Sequence, residues 1–245
     1  MYKGMANSIF YTKSYSVRVD GISVVKEVDI ELFENELSLL VGPNGSGKSS
    51  LLKSIMYDDY DTKGDVFYQN KSIKTTPTAQ RAKMWIFMIH QEPVEIPGVQ
   101  ILDLMRYSYN IVNPDAPLDP WSFKELFDVY ADILEFSEDI AYRSINHGFS
   151  GGEKKRLELL QMLILRPKLV LIDEIDSGLD LEYTLKIFKI INEYVKEEGA
   201  TVLMVSHNMN ILEYVNPAKV YKMKEGKVVN SGNELLLTNN STTKG

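Results

Sequence analysis

Eight residues, Gly42, Pro43, Asn44, Gly45, Ser46, Gly47, Lys48 and Ser49, carry the most specific chemistry in the chain. They fit the pattern G-x-x-x-x-G-K-[ST]. Glycines let a backbone curl until its N–H groups converge on an anion. A helix that starts at the end of such a loop adds its positive pole. On this reading Gly42 to Ser50 cradle the phosphates of a nucleotide, Lys48 meets the β- and γ-phosphates, and the Ser49 hydroxyl binds Mg²⁺. The plain alternative is a glycine turn without a ligand. It is disfavoured because the apolar run Leu37 to Val41 precedes the motif as a buried strand and Ser50 to Met56 follows it as a helix.

Two carboxylates form the second constellation. Leu169 to Ile172 is an apolar strand that runs directly into Asp173 and Glu174. Unpaired carboxylates resist desolvation, so a Mg²⁺ ion and a water are the expected compensation. Asp173 then orders the metal, and Glu174 polarises the attacking water as general base. An exposed acidic strand end is the alternative. His207 follows the apolar run Thr201 to Val205 and is placed to sense a γ-phosphate; a surface histidine in a loop is its plain reading.

A third stretch, Ser150, Gly151, Gly152 and Glu153, opens a helix that runs to about Leu165. Ser150 is a sound cap and the glycines expose backbone donors. This is a second anion-binding helix start in a chain whose first already holds the nucleotide. Sharing follows: the second start would grip a γ-phosphate bound to another copy.

These residues need a scaffold, and 245 residues with 44% hydrophobic and 25% charged content provide a sizeable core. Val28 to Leu32 and Ser16 to Asp20 alternate as strands, and Asp65 to Gln69 is a further candidate. From Ile101 to Met162 the pattern is helical, broken by Pro114, Pro117 and Pro120. Leu181 to Glu198 is an amphipathic helix stopped by Gly199. Lys219 to Val229 reads as a hairpin turning near Glu225 and Gly226, and Thr238 to Gly245 as a polar tail. Strands at both ends and helices between about 92 and 165 predict one α/β domain with a helical insert. The segment 92–99, bracketed by Pro93 and Pro97, reads as a stiff loop with Gln91 at its root.

The exclusions are equally useful. A net charge of −7 argues against nucleic acid or an anionic membrane as the main partner. No apolar run reaches the length of about 18 residues expected of a membrane span. The chain has no cysteine, so it carries no disulfide and cannot by itself hold a thiolate-bound metal or iron–sulfur cluster. Its three histidines are too scattered for a metal cluster.

The order of the Lys48 loop, Gln91, Phe149 to Glu153, Asp173–Glu174, Ser177 to Asp180 and His207 resembles the ATP-binding-cassette (ABC) ATPases over residues 15 to 232 or so. The resemblance implies an α/β fold with a RecA-like P-loop core, an antiparallel β subdomain and an inserted α-helical subdomain. The core would occupy about 8–91 and 166–237, the helical subdomain about 92–165. ATP and Mg²⁺ are the implied cofactors, with hydrolysis to ADP and phosphate. Glu174, His207, Gln91 and Lys48 would be catalytic, and Ser49, Gln91 and Asp173 would hold Mg²⁺. The family also implies a head-to-tail dimer in which Ser150, Gly151, Gly152, Glu153 and Asp180 reach the ATP of the other copy.

Two departures stand out. The stretch Phe149 to Glu153 has phenylalanine and glutamate at its ends where leucine and glutamine are commoner. The expected adenine-stacking aromatic falls at Val19, which predicts weak stacking and weak nucleotide selectivity.

The stretches Pro93 to Val99, Arg143 to Asn146, Gly148 to Arg156, Leu160 to Met162 and Asp173 to Asp180 are similar to the SufC family, the ATPases of the SUF iron–sulfur cluster assembly machinery. That resemblance implies SufB and SufD scaffold proteins as partners, without nucleic acid or membrane insertion. It implies a cytoplasmic site in a bacterium and a plastid or apicoplast stroma in a eukaryote. A transporter motor subunit is the second reading. An ATP-gated scaffold with incidental hydrolysis is the third, and an intact Glu174 speaks against it. Lys154 and Lys155 are expected near enough to pair with Glu174 in a resting monomer; solvated charges at a helix start are the alternative.

Overall fold

The computed structural model describes residues 7–207, 211–212 and 214–232. In chain order the strands and helices are β1 (Ser8–Val19), β2 (Ile22–Val28), β3 (Glu31–Phe33), β4 (Leu37–Val41), α1 (Lys48–Met56), β5 (Asp61–Tyr68) and β6 (Lys71–Ser72). Then come α2 (Thr78–Lys83), β7 (Ile86–Ile89), β8 (Ile96–Gln100), α3 (Ile101–Val112), α4 (Pro120–Ile133) and β9 (Ser144–Ile145). The last are α5 (Gly151–Leu165), β10 (Leu169–Asp173), α6 (Leu181–Glu198), β11 (Thr201–Ser206), β12 (Lys219–Lys224) and β13 (Lys227–Gly232).

A six-stranded sheet in the order β13-β12-β4-β11-β10-β7 forms the centre. Its five inner and outer strands from β12 to β7 run parallel, and β13 closes one edge antiparallel. Parallel strands buried on both faces read as unbroken apolar runs, and β4, β10 and β11 are buried at every position. Alternation then sorts their side chains. Val170, Ile172, Val202 and Met204 pack against α3, α4, α5 and α6. Leu169, Leu171, Leu203 and Val205 pack against α1 and the second sheet. By the same period Asp173 falls on the α1 face. The second sheet is antiparallel, β2-β1-β5-β6 with β3 beside β1.

Several expectations are corrected. The strand expected over 28–32 is split into β2 and β3. Glu27 lies in the left-handed region (φ 51°), and the Thr12 hydroxyl bridges Val28 O and Ile30 N across the break. The stretch 134–150, expected as helix, keeps only a short 3₁₀ helix (Glu138–Tyr142): Glu135 and Asn146 have positive φ and β9 interrupts it. Part of the expected loop 92–99 is strand, because β8 pairs with β9 as a two-stranded ribbon. Pro97 is tolerated there because an edge strand needs no donor on its open side. β7 adds a strand beyond those expected. The tail 238–245 lies outside the described residues.

One buried cation organises the rear of the nucleotide end. Arg81 is 2% exposed, and its guanidinium donates to the carbonyls of Ser54, Ile55, Tyr57, Ile73, Lys74 and Thr76. Three of these lie at the C-terminal end of α1, where unpaired carbonyls and the negative pole of the helix gather. Arg81→Ala would strand these carbonyls. Unfolding in urea should show a loss of about 3 kcal/mol. A loss below about 1 kcal/mol would mean that water replaces the clamp.

Candidate functional site

The loop between β4 and α1 is held in shape from two sides. Gly47 has φ 101°, and a Cβ there would lie 2.4 Å from Val24 O, so glycine is required. The β12–β13 hairpin supplies the second brace: Gly226 N donates to Ser46 O at 3.0 Å. Inside the loop, Lys48 Nζ donates to Gly42 O (2.8 Å) and Pro43 O (3.0 Å). Lys48 is only 4% exposed, and burial lowers its pKa against the opposing pull of Glu174 and Asp173.

The carboxylates arrive from β10. Ser49 Oγ donates to Asp173 Oδ1 at 2.8 Å, as the alternation of β10 requires. Asp173 Oδ2 is buried without a hydrogen-bond partner. Burial raises the Asp173 pKa, and the negative charge of Glu174 adds to that, against the Ser49 hydrogen bond and Lys53 and Lys48. Glu174 itself sits in the left-handed region (φ 51°), uncommon for a residue with a long side chain. Such backbone is retained where surrounding bonds over-determine it. Here Glu174 N donates to Val205 O, and Lys155 Nζ donates to Glu174 O at 3.0 Å.

The Glu174 carboxylate has two further neighbours. Gln91 Nε2 donates to Oε2 at 2.8 Å, and His207 Nδ1 stands 3.7 Å from Oε1. Asn44, Gly45, Gly47, Lys48, Ser49, Ser50, Gln91 and Glu174 line one open pocket of about 250 Å³. Gly42 and Pro43 do not line it; their carbonyls accept from Lys48, which does. The Ser46 hydroxyl is buried beside it with no partner.

These residues fit a nucleotide and Mg²⁺. The unpartnered Asp173 oxygen and the Ser49 hydroxyl are hard oxygen donors of the kind Mg²⁺ takes. Among the described residues no three His, Asp or Glu side chains converge to cage a metal. That suits an ion that takes one or two protein ligands and completes its shell with phosphate and water. A bound Mg²⁺ supplies charge neutralisation at the phosphates. With the ion so held, Glu174 would be free to accept a proton from water and Gln91 to orient it.

The remaining predicted residues lie elsewhere. Ser150 caps α5: its Oγ accepts from Glu153 N, while Glu153 Oε2 accepts from Ser150 N. This reciprocal box explains the glutamate at 153, whose pKa is lowered by the Ser150 bonds and then by Arg143. Asp180 caps α6 by accepting from Tyr183 N at 2.8 Å. None of Ser150 to Glu153, nor Asp180, lines the pocket of their own chain.

The lysine pairing is corrected. Lys154 pairs with Glu95 at 2.7 Å, far along the 92–99 segment. Lys155 is buried and donates to backbone and hydroxyl oxygens of Glu174 and Ser177, not to the Glu174 carboxylate. A lysine at the fifth position of a helix gives no sequence signal for this role.

The ABC transporter family profile matches residues 25–177, over half of the chain. The chain belongs to the ABC transporter family. This cassette is 38% identical over 237 residues to a probable ATP-dependent transporter of Synechocystis, covering 95% of this chain and 92% of that protein. It is 36% identical over 231 residues to vegetative protein 296 of Bacillus subtilis, covering 93% and 88%. Its fold matches a dimeric ATP-binding cassette solved in a post-hydrolysis state with ADP and phosphate, at a TM-score of 0.79 and 23% identity, covering 91% and 98%. The chain is thus the nucleotide-binding cassette of an ABC ATPase, with ATP and Mg²⁺ as its cofactors. No helix among the described residues is long and apolar enough to cross a membrane.

Glu174→Gln should retain ATP binding and lower turnover by about 10²–10³-fold, the size of losing a general base. Steady-state phosphate release beside equilibrium ATP binding checks this. A turnover loss under about tenfold would take the general-base role away from Glu174.

Proposed function

We propose that this ABC ATPase drives a SUF-type iron–sulfur cluster assembly complex. In this reading it docks on SufB and SufD scaffold proteins and closes head to tail with a second copy when ATP binds.

The observation that carries the assembly reading is where the SufC-like stretches meet. Residues 93–99 lie about fifty residues before 143–156 in the chain, yet the two stretches are joined. Asn146 Nδ2 donates to Val94 O at 2.8 Å, and Gly98 N donates to Ser144 Oγ at 3.1 Å. Glu95 takes both Lys154 at 2.7 Å and His147 at 3.4 Å. The 92–99 segment is thereby fixed to the residues that lead into Ser150, so a partner that moves one moves the other. A groove of about 410 Å³ between α2, β7, α3 and α5 opens beside His90, at the root of Gln91. A scaffold segment docked there would reach the nucleotide site through one residue.

The pocket composition supports closure with a second copy. A pocket of about 250 Å³ lined by the Lys48 loop, Gln91 and Glu174 presents one side of a phosphate site. Ser150, Gly151 and Asp180 are exposed and available to face the other side in a second chain.

A membrane-transporter motor is the second reading, favoured by the description of the Synechocystis relative as a probable ATP-dependent transporter. Affinity capture of the tagged chain from native extract without detergent separates the two. The assembly reading expects a soluble pair of cysteine-bearing scaffolds in stoichiometric amounts. A polytopic membrane protein recovered only with detergent would overturn it and leave the nucleotide site untouched.

A further inference from the structure

Gln91 is the last residue of the core to line the nucleotide pocket before the chain enters the helical insert. Its carboxamide rests on Glu174, but its backbone needs its own anchor. The residue before it supplies one. Tyr57 Oη lies 2.5 Å from His90 Nε2, and His90 Nδ1 lies 2.9 Å from Glu158 Oε1. The other Glu158 oxygen accepts from the His90 backbone N–H.

This relay joins three elements. Tyr57 is the C-cap of α1, the helix that begins at Lys48. His90 follows β7. Glu158 lies two turns into α5, the helix capped by Ser150. Burial, and then the charge of Glu158, raise the Tyr57 pKa, so the phenol keeps its proton and donates to Nε2. The Nδ1 proton then goes to Glu158, which fixes the tautomer. Glu158 is 7% exposed, so its carboxylate depends on these donors.

The consequence is mechanical. A charge-assisted bond from a backbone N–H one residue before Gln91 ends on a side chain carried by α5. Any rotation of α5 relative to the core either carries the Gln91 root with it or leaves a buried carboxylate unpaired. We infer that Glu158 is a positioning residue. Through His90 it sets where Gln91 stands relative to Glu174 and ties that position to the helix led by Ser150. Tyr57 locks the imidazole from the P-loop side. The inference rests on the ATPase assignment and stands whichever partner binds.

A double-variant cycle on the full chain tests it. Glu158→Ala should lower kcat about tenfold, as loss of a supporting partner commonly does, with ADP affinity unchanged. Glu158→Gln should recover most of the rate, since its amide oxygen still accepts from the His90 backbone. In a Gln91→Ala background, Glu158→Ala should change kcat by less than about twofold, because its effect passes through Gln91. Losses that multiply in the double variant, or a kcat that only tracks falling thermal stability, would overturn the inference and leave Glu158 as a packing residue. Should Glu158→Ala not fold, Tyr57→Phe carries the same cycle. A loss absorbed by Gln91→Ala supports the relay; losses that multiply, or no loss, overturn it.

Discussion

Two carboxylates at the end of a fully buried strand impose the constraint that the rest of the site answers. β10 is buried at every position, and Asp173 is the last of them. Removing a carboxylate from water is costly, and placing a second beside it adds repulsion. The Ser49 hydroxyl, the buried Lys48 ammonium and the Gln91 amide each face some part of this pair, while the Lys155 ammonium holds only the Glu174 backbone. Even so, one Asp173 oxygen has no partner. A cation and its phosphates would balance the arrangement, so the end of an apolar strand fits a site for Mg²⁺ and nucleotide.

The same economy of contacts explains why the site looks incomplete in one chain. The P-loop lysine rests on its own loop carbonyls, and the Glu174 carboxylate is held by Gln91. The helix start at Ser150 is shaped by the box with Glu153, which takes only the Ser150 and Glu153 N–H groups, and Ser150 and Gly151 face solvent. Two anion-binding helix starts on one chain, only one of which lines the pocket, suit a ligand sandwiched between two copies. The 92–99 segment and the Tyr57–His90–Glu158 relay lie on the route by which such closure would be felt by a partner.

Much of this was legible in the sequence because it rests on short-range patterns. The Lys48 loop is a contiguous motif, β4, β10 and β11 are unbroken apolar runs, and Leu181 to Glu198 has a helical period with a cap at each end. What escaped rests on long-range contacts. β7 is the exception: Trp85 to Ile89 is an unbroken apolar run readable by the same rule as β10, its parallel neighbour. The break between β2 and β3 follows from Thr12, more than a dozen residues away in sequence. Lys154 and Lys155 are neighbours with identical side chains, yet helical geometry sends one to Glu95 and the other beneath Glu174. Glu158 reads as one more charge on a helix until the fold brings His90 to it, 68 residues apart in sequence.

The central claim is that a working site is built from two chains, and mixing two inactive variants tests it most directly. A Lys48→Ala chain keeps its Ser150 helix start, and a Ser150→Arg chain keeps its P-loop. Phosphate release would be measured for each alone and for an equimolar mixture. Composite sites predict that each variant alone is nearly inactive and that the mixture recovers turnover, since one of its two interfaces pairs an intact P-loop with an intact helix start. A Ser150→Arg chain that hydrolyses ATP at full rate by itself, or a mixture no more active than its components, would contradict the account.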